Sequence, residues 1–295
     1  MQFIRTSLLA CLFASTAAAA QMPVPAPFQV QNIAPGIEVI FGGGGNVTMD
    51  HGGARIFLVD AKSPNVAEQF VSAVHAVSAK PVMAVVNTHW HFDHVGANQL
   101  LHKAGASVIA QANVRHRMAD GGTISFLKMA VEPAPKNAAP GSVYQTSQTL
   151  KVGSDTVQLV HVARAHTDGD TLVKWAHANV LATGDIYIRH GLPFVDLSSG
   201  GSLRGFIAAV DKCIALSDDH TVVVPGHGEL STRADLVAFR DRLKAITDAI
   251  DEQVRAGKSL SEIQALRLAD AWPKDARDFV KPDQFVAMAV ESLRD

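Results

Sequence analysis

Apolar residues follow two different periods along this chain. Short β-branched runs bounded by turn residues are typical of strands, and the sequence predicts strands at 37–41, 54–60, 81–87, 107–110, 156–162, 171–175, 180–183 and 221–224. Apolar residues at helical spacing predict helices at 65–79, 98–104, 202–216, 232–256 and 281–293. Because strands and helices alternate without a regular strand–helix–strand repeat, the pattern favours a layered α/β sandwich over a barrel.

The composition is that of a folded protein with a large core. Of the 295 residues, 47% are hydrophobic and 18% are charged, which excludes a disordered chain, a coiled coil and a collagen. The net charge is −2 and no basic stripe is visible, so we expect no nucleic-acid partner. The length allows one or two domains. Because no later linker is visible, we expect a single domain over 36–295.

The first twenty residues have the pattern of a secretory signal peptide. Arg5 is followed by an apolar stretch and then by small residues. We expect cleavage before Gln21 and a flexible segment at 21–35. The mature protein is then expected to be periplasmic or secreted, without stable insertion in a membrane. An uncleaved N-terminal anchor and lipidation at Cys11 are the alternatives.

The segment His89-Trp90-His91-Phe92-Asp93-His94 carries the strongest chemical signal in a chain with 13 histidines. Side chains two positions apart in an extended backbone point the same way, so His89 and His91 project together. A helix that begins near Val95 places Asp93 and His94 in its first turn. Histidine together with carboxylate suits zinc and related divalent metals. The segment therefore predicts a metal site, with a polar loop of stacked imidazoles as the alternative.

Three further residues of ligand type follow predicted strands. These are His166, Asp185 and His227. Strand ends at one edge of a sheet are where α/β folds build their sites, so we expect all three to join the histidine-rich segment. The sequence has no phosphate-binding loop, no GxSxG elbow and no GxGxxG turn, so it lacks the signals of nucleotide binding and of serine hydrolysis.

In this order and spacing, the motifs resemble those of the metallo-β-lactamase fold hydrolases, over roughly 36–228 of the chain. The resemblance implies a four-layer αβ/βα sandwich with a dinuclear zinc site at one edge, and thus two Zn²⁺ per chain. It implies that Asp185 bridges the metals, as in the glyoxalase II-like and lactonase-like branches. The best-known lactamases carry a cysteine near that position, whereas Cys213 here lies in a predicted helix. Hydrolysis of β-lactams is therefore one option among several.

The resemblance also assigns the remaining metal ligands. It implies a first zinc on His89, His91 and His166, and a second zinc on Asp93, His94 and His227. Asp93 would in addition orient the attacking hydroxide, which two zinc ions can generate from water near neutral pH.

Other residues are candidates to support the metals or to contact the substrate. Asp60 and Thr88 would hold the outer nitrogens of the histidines, or simply cap a turn. The glycine-rich loop at 42–53 corresponds to a flap in relatives, with Met49 and His51 as candidate substrate contacts. A plain hairpin loop is the alternative.

Two stretches are candidate walls of the substrate pocket. The first is 119–147, which contains Phe126, Leu127 and Met129 and is otherwise a surface insertion. The second directly follows Asp185 and offers Tyr187, Arg189 and His190 as substrate contacts. Arg189 could hold a substrate carboxylate by a two-pronged contact, or it forms a surface salt bridge.

The leading hypothesis is an exported dinuclear zinc hydrolase that cleaves an acyl bond in a small molecule, namely a β-lactam, lactone, ester or thioester. The ligand set alone does not choose the metal, so an iron-dependent oxidoreductase of the sulfur dioxygenase type is the runner-up. A non-catalytic periplasmic zinc-binding protein is the third hypothesis.

We predict that the exported protein begins at or near Gln21, because a signal peptidase cleaves after small residues. Intact-mass analysis of protein recovered from the periplasm or medium measures this directly. A retained Met1, or a lipid on Cys11, would contradict the prediction.

Overall fold

Two β-sheets lie face to face at the centre of the molecule. The computed structural model describes residues 28–275 and 277–294, so the predicted signal peptide at 1–20 lies outside the described residues. The strands are β1 (Gln29–Ala34), β2 (Ile37–Phe41), β3 (Val47–Asp50), β4 (Ile56–Val59), β5 (Val82–Val86), β6 (Ser107–Gln111), β7 (Gly122–Ile124), β8 (Met129–Val131), β9 (Ser142–Tyr144), β10 (Ser147–Val152), β11 (Asp155–His161), β12 (Thr171–Trp175), β13 (Val180–Ala182) and β14 (Val222–Val224). The helices are α1 (Ala67–Val77), α2 (Phe92–Val95), α3 (Asn98–Lys103), α4 (Ala112–Asp120), α5 (Leu203–Ala215), α6 (Arg233–Arg255), α7 (Leu260–Ala265) and α8 (Pro282–Arg294).

Strand direction places several loops at the same edge of the molecule. The first sheet has the order β1-β2-β3-β4-β5-β6-β9, and the second has the order β10-β11-β12-β13-β14. Strands β4, β5, β6 and β9 are mutually parallel, whereas in the second sheet only β13 and β14 pair in parallel. Strand β11 runs in the direction of β13, because each is antiparallel to β12. The carboxyl ends of β11, β13 and β14 therefore lie at one edge of the second sheet.

Three apolar clusters define four layers. One cluster joins the outer face of the first sheet to α1 and α3, and a second fills the space between the sheets. A third joins the outer face of the second sheet to α5, α6 and α8. The predicted four-layer αβ/βα sandwich is thus confirmed. Within the described residues, no helix is long and apolar enough to cross a membrane.

Some segments predicted as loops or as flexible contain strands. Strand β1 occupies part of the predicted flexible segment at 21–35, where it pairs with β2 as a largely polar strand at the edge of the sheet. Strand β3 lies inside the predicted loop at 42–53, and β7, β8 and β9 lie inside 119–147. The sequence pattern fails at β3 because the polar side chains of Thr48 and Asp50 are buried on one face as fully as the apolar ones of Val47 and Met49 are on the other.

A hydrogen bond between the two sheets explains how β3 buries a carboxylate. The indole N–H of Trp175, on β12, donates to Oδ2 of Asp50 at 2.9 Å, and both residues are buried. Burial raises the pKa of Asp50, and the N–H groups of Gly52 and Trp175 partly offset that effect. The pair therefore links the two sheets through a buried hydrogen bond, and either group would be left without a partner if the other were removed.

We predict that Trp175→Phe lowers the free energy of unfolding by about 1–3 kcal/mol, because it leaves a buried carboxylate oxygen without its donor. Urea unfolding of the variant, of Asp50→Asn and of the double variant measures the coupling. We expect Asp50→Asn to be less harmful in the Trp175→Phe background. Additivity of the two changes to within about 0.5 kcal/mol would contradict the coupling.

Candidate metal centre

Seven ligand-type side chains converge where the strands of both sheets end. His89 and His91 follow β5, and Asp93 and His94 lie in the short helix α2 that begins directly afterwards. The other three residues come from the loops after β11, β13 and β14 in the second sheet; they are His166, Asp185 and His227. The candidate ligand atoms form three sets, and within each set they lie no more than 4.8 Å apart. Two sets share no residue, and the third overlaps both of them; the sets are His89, His91 and His166, then Asp93, His94 and His227, and finally His89, His94 and Asp185. The structure thus brings together all seven residues that the sequence singled out.

The first group consists of His89, His91 and His166, all of them buried. Nδ1 of His91 lies 3.0 Å from Nε2 of His166. Nε2 of His89 is buried and has no hydrogen-bond partner. Three imidazole nitrogens therefore face one small space.

Oxygen atoms hold the outer nitrogen of each of these three rings. Nε2 of His91 lies 3.0 Å from Oδ2 of Asp196, and Nδ1 of His166 lies 2.8 Å from the carbonyl oxygen of Phe194. Nδ1 of His89 lies 3.1 Å from the hydroxyl oxygen of Thr88. That hydroxyl donates to Asp60, so it accepts from the imidazole.

These outer contacts determine where the protons are. A carboxylate or a carbonyl oxygen can only accept, so His91 carries its proton on Nε2 and His166 carries its proton on Nδ1. In the neutral rings that bind metals, the two nitrogens that face each other at 3.0 Å then both carry lone pairs. A cation between them relieves this repulsion. The donor set therefore fits a metal ion, because histidines that bind metals commonly donate their other N–H to an oxygen.

The second group consists of Asp93, His94 and His227. Nδ1 of His94 is held by Oδ2 of Asp60 at 2.7 Å, which directs its Nε2 toward Nε2 of His227, 3.4 Å away. Oδ2 of Asp93 lies 3.2 Å from the same nitrogen of His227. All three imidazoles of the first group are held from outside, whereas in this group an outer carboxylate holds His94 and a carboxylate joins the candidate ligands.

Asp185 lies between the two groups. Its Oδ1 is 3.3 Å from Nε2 of His94, and its Oδ2 is 3.5 Å from Nε2 of His227 and 3.7 Å from Nε2 of His166. Oδ1 is buried and has no hydrogen-bond partner. One carboxylate therefore reaches both groups, as a bridging ligand must.

Burial and charge separate the two groups electrostatically. Burial lowers the pKa of His89 well below its usual value and lowers the pKa of His166 to about 4, so both are neutral at pH 7, the form that binds metals. Burial also opposes the charged form of His227, but Asp185 and Asp93 outweigh it and raise its pKa to about 9. The second group thus attracts positive charge more strongly than the first.

The glycine-rich loop supports the metal centre from below and does not cover it. A Cβ atom on Gly45 would lie 2.2 Å from the His94 ring, so only glycine fits there. The N–H of Gly45 donates to the carbonyl oxygen of Asp93 at 3.0 Å, and its own carbonyl accepts from the buried amine of Lys62 at 2.8 Å. Met49 is fully buried in the core, and His51 pairs with Glu38. The structure thus favours a supporting role for this loop over a flap.

A cavity of about 480 Å³ opens above the metal-ligand groups. Its floor is formed by side chains of the candidate ligands, and its walls are largely apolar; the wall residues include Phe92, Leu127, Ile188, Phe194 and Phe279. Leu127 comes from 119–147, the segment that the sequence offered as a wall. Ile188, Phe194 and Phe279 carry no sequence signal that sets them apart from core residues.

Of the three candidate substrate contacts that follow Asp185, only His190 lines this cavity. Tyr187 is buried, with its hydroxyl 3.2 Å from that of Ser231. Arg189 forms an ion pair with Asp235 of α6 at 2.8 Å. The structure therefore places Tyr187 and Arg189 outside the cavity, and Arg189 adopts the alternative of a salt bridge.

The sequence also gave no indication of Asp196, which holds His91. Its carboxylate accepts from the hydroxyls of Ser198 and Ser199 as well as from His91. Although burial favours the neutral acid, these donors lower the pKa of Asp196 to about 2. The indole of Trp90 in turn donates to the Ser199 hydroxyl at 3.0 Å. A lone aspartate in a loop has no recognisable spacing, so only the fold reveals this contact.

Comparison with known proteins agrees with this geometry. The chain belongs to the metallo-beta-lactamase superfamily, whose profile matches residues 40–227. A probable metallo-hydrolase of Methanocaldococcus jannaschii is 27% identical over 61% of this chain and 86% of its own length. A metallo-beta-lactamase type 2 of Bacillus cereus is 22% identical over 64% of this chain and 69% of its own length.

Solved structures share the fold at low sequence identity. A metallo-beta-lactamase from Pontibacter korlensis superposes with a TM-score of 0.63 at 16% identity, over 74% of this chain and 99% of that one. The sec-alkylsulfatase Pisa1 from Pseudomonas sp. superposes with a TM-score of 0.64 at 17% identity, over 90% of this chain and 49% of that one.

We predict that Asp196→Asn weakens metal binding by about ten- to a hundredfold, the effect typical of losing an outer partner of a ligand histidine. Competition with a chromophoric chelator measures the affinity. Asp251→Asn, which changes an acid that pairs with Arg204 and Arg255 away from the centre, serves as the control. Equal metal affinities of the two variants would contradict the role of Asp196.

Proposed function

We propose that this protein is an exported hydrolase that binds two zinc ions and cleaves an acyl bond in a small molecule. Membership of the metallo-beta-lactamase superfamily indicates a metal-dependent hydrolase. The observation that carries the finer proposal is the position of Asp185, one carboxylate within reach of two groups of nitrogen ligands. Export rests on the signal-peptide pattern of the first twenty residues.

The ligand types support zinc. Three histidines form the first group, and two histidines with carboxylates form the second. Both sets suit a zinc ion that keeps a position open for water or substrate. The first zinc would lie on His89, His91 and His166, and the second on Asp93, His94 and His227. Asp185 would contact both. When bound, such ions supply Lewis acidity, which polarises a carbonyl oxygen and makes water nucleophilic at neutral pH.

The side chains at the cavity floor supply the remaining functions. The carboxylate of Asp93 faces the cavity, and His94 and His227 lower its pKa to about 2 against the effect of burial. It is therefore an anionic acceptor at neutral pH, able to hold the proton of an attacking water and so orient its lone pair toward the acyl carbon. Phe194 packs against the rings of His91 and His166 and keeps bulk water from their sides.

Turnover assays with a panel of compounds identify the class of acyl substrate. We predict that zinc-loaded protein hydrolyses at least one member of a panel of esters, lactones, thioesters and β-lactams, and that a chelator abolishes the activity. His91→Ala is the control, since it removes a ligand at the edge of the fold and should leave the protein folded. Binding of zinc without turnover of any compound would favour the non-catalytic hypothesis, and oxygen-dependent turnover of a persulfide would favour the iron oxidoreductase.

We predict that Asp185→Asn retains the first zinc and loosens the second, because the amide keeps the shape but loses the negative charge between the metals. Activity should fall by about ten- to a hundredfold or more, and excess zinc should partly restore it. Metal stoichiometry after dialysis, measured together with the rate, tests this. Two zinc ions per chain with unchanged affinity and rate would instead make Asp185 a turn residue after Gly184.

A further inference from the structure

Exposed apolar side chains concentrate at the mouth of the cavity. Among the residues that the structure describes, three large hydrophobic side chains are exposed: Phe92 at 40%, Leu266 at 45% and Phe279 at 57%. Phe92 and Phe279 both line the cavity, whereas Leu266 lies at the end of α7. Exposed apolar surface that is contiguous with a cavity is typical of a binding site. An apolar ligand group would cover both phenylalanines.

Two peripheral segments build this apolar wall together. The tip of the β7–β8 hairpin carries Phe126 and Leu127, and a segment just before α8 carries Phe279. The ring of Phe126 lies 4.7 Å from that of Phe194 and 5.6 Å from that of Phe279, distances typical of aromatic pairs. Phe279 lies beyond the part of the chain that the superfamily profile matches. The wall therefore includes a residue outside the region that the profile matches.

The arginines at the rim of the cavity are already paired with carboxylates. Arg277 is the arginine that lines it, and its guanidinium donates to both oxygens of Asp275 and, at 2.8 Å, to Glu229. His190 contacts the same two carboxylates. Arg189 is turned away toward Asp235. A substrate carboxylate would meet two acids for one guanidinium at this rim.

We propose that the substrate of this site is an uncharged ester or lactone with a bulky apolar group, and that Phe92, Leu127 and Phe279 hold that group. The inference rests on the proposed hydrolase function and specifies its substrate class. Hydrolysis adds water across the acyl C–O bond, so that the acyl carbon gains the hydroxyl oxygen and the released alcohol gains a proton. The apolar group contributes binding by removing its surface and that of the wall from water.

The test compares matched esters on zinc-loaded protein. We expect kcat/KM for 4-nitrophenyl octanoate to exceed that for 4-nitrophenyl acetate by at least about tenfold, after correction for spontaneous hydrolysis. The octanoate should also exceed the mono-4-nitrophenyl ester of suberic acid, which has the same length and a terminal carboxylate. No preference for the octanoate, or a preference for the suberate, would overturn the proposal.

Substitutions in the cavity wall show which side chains produce the preference for the octanoate ester. Phe279→Ala, and independently Leu127→Ser, should reduce the octanoate-to-acetate ratio severalfold. Leu266→Ala removes an equally exposed apolar side chain outside the cavity and should leave the ratio unchanged. Circular dichroism and the Tm show whether each variant is folded. A ratio that Leu266→Ala lowers as much as Phe279→Ala does would contradict the assignment of the wall.

Measurements of ligand binding test the apolar wall without requiring turnover, so they distinguish a failure of the wall from a failure of the proposed hydrolase function. If no compound of the panel of esters, lactones, thioesters and β-lactams is hydrolysed, the hydrolase proposal fails, and calorimetry with octanamide and acetamide on zinc-loaded protein still tests the wall. Tighter binding of octanamide that Phe279→Ala weakens supports an apolar site. Equal or undetectable binding of both amides overturns it.

Discussion

The metal centre depends on imidazole rings whose protons are fixed from outside. Nε2 of His91 and Nδ1 of His166 donate to Asp196 and to the carbonyl of Phe194, so in the neutral rings that bind metals two lone pairs face each other across 3.0 Å. Inside a buried site of low polarity, such an arrangement is unfavourable without a cation. The surrounding loops, helix α2 and the ends of the strands position these rings, and a metal ion between them would remove the repulsion.

Asp60 joins the two ligand groups in a single network. Its carboxylate accepts from the backbone N–H and the hydroxyl of Thr88 and from Nδ1 of His94, so it holds His94 directly and His89 through Thr88. The residue is buried and has a positive φ of 68°, a backbone conformation that few residues other than glycine adopt. The three hydrogen bonds that its carboxylate accepts offset that conformational cost. The sequence had offered Asp60 and Thr88 as supports for the histidines, and their contacts agree with that role.

The sequence predicted the site better than its surroundings because metal ligands follow a recognisable spacing. His89 to His94 are contiguous, and His166, Asp185 and His227 each follow a strand, so order and spacing were enough to bring them together. Strand β1 escaped prediction because it is a polar strand at the edge of a sheet, and β3 because its buried Asp50 is compensated by a partner 125 residues away. Asp196 and Phe279 reach the site only through tertiary packing. The choice between a substrate contact and a salt bridge stayed open for Arg189, because the sequence does not reveal that Asp235 on α6 lies beside it.

The position of bound zinc decides whether these seven side chains form two adjoining metal sites. Crystals of zinc-loaded protein, measured just above and just below the zinc absorption edge, locate the metal independently of any assay. We expect two anomalous peaks, one of them about 2.0–2.1 Å from Nε2 of His89, Nδ1 of His91 and Nε2 of His166, with Asp185 in contact with both. A His91 ring turned so that Nε2 faces His166, or zinc found only elsewhere, would contradict the account.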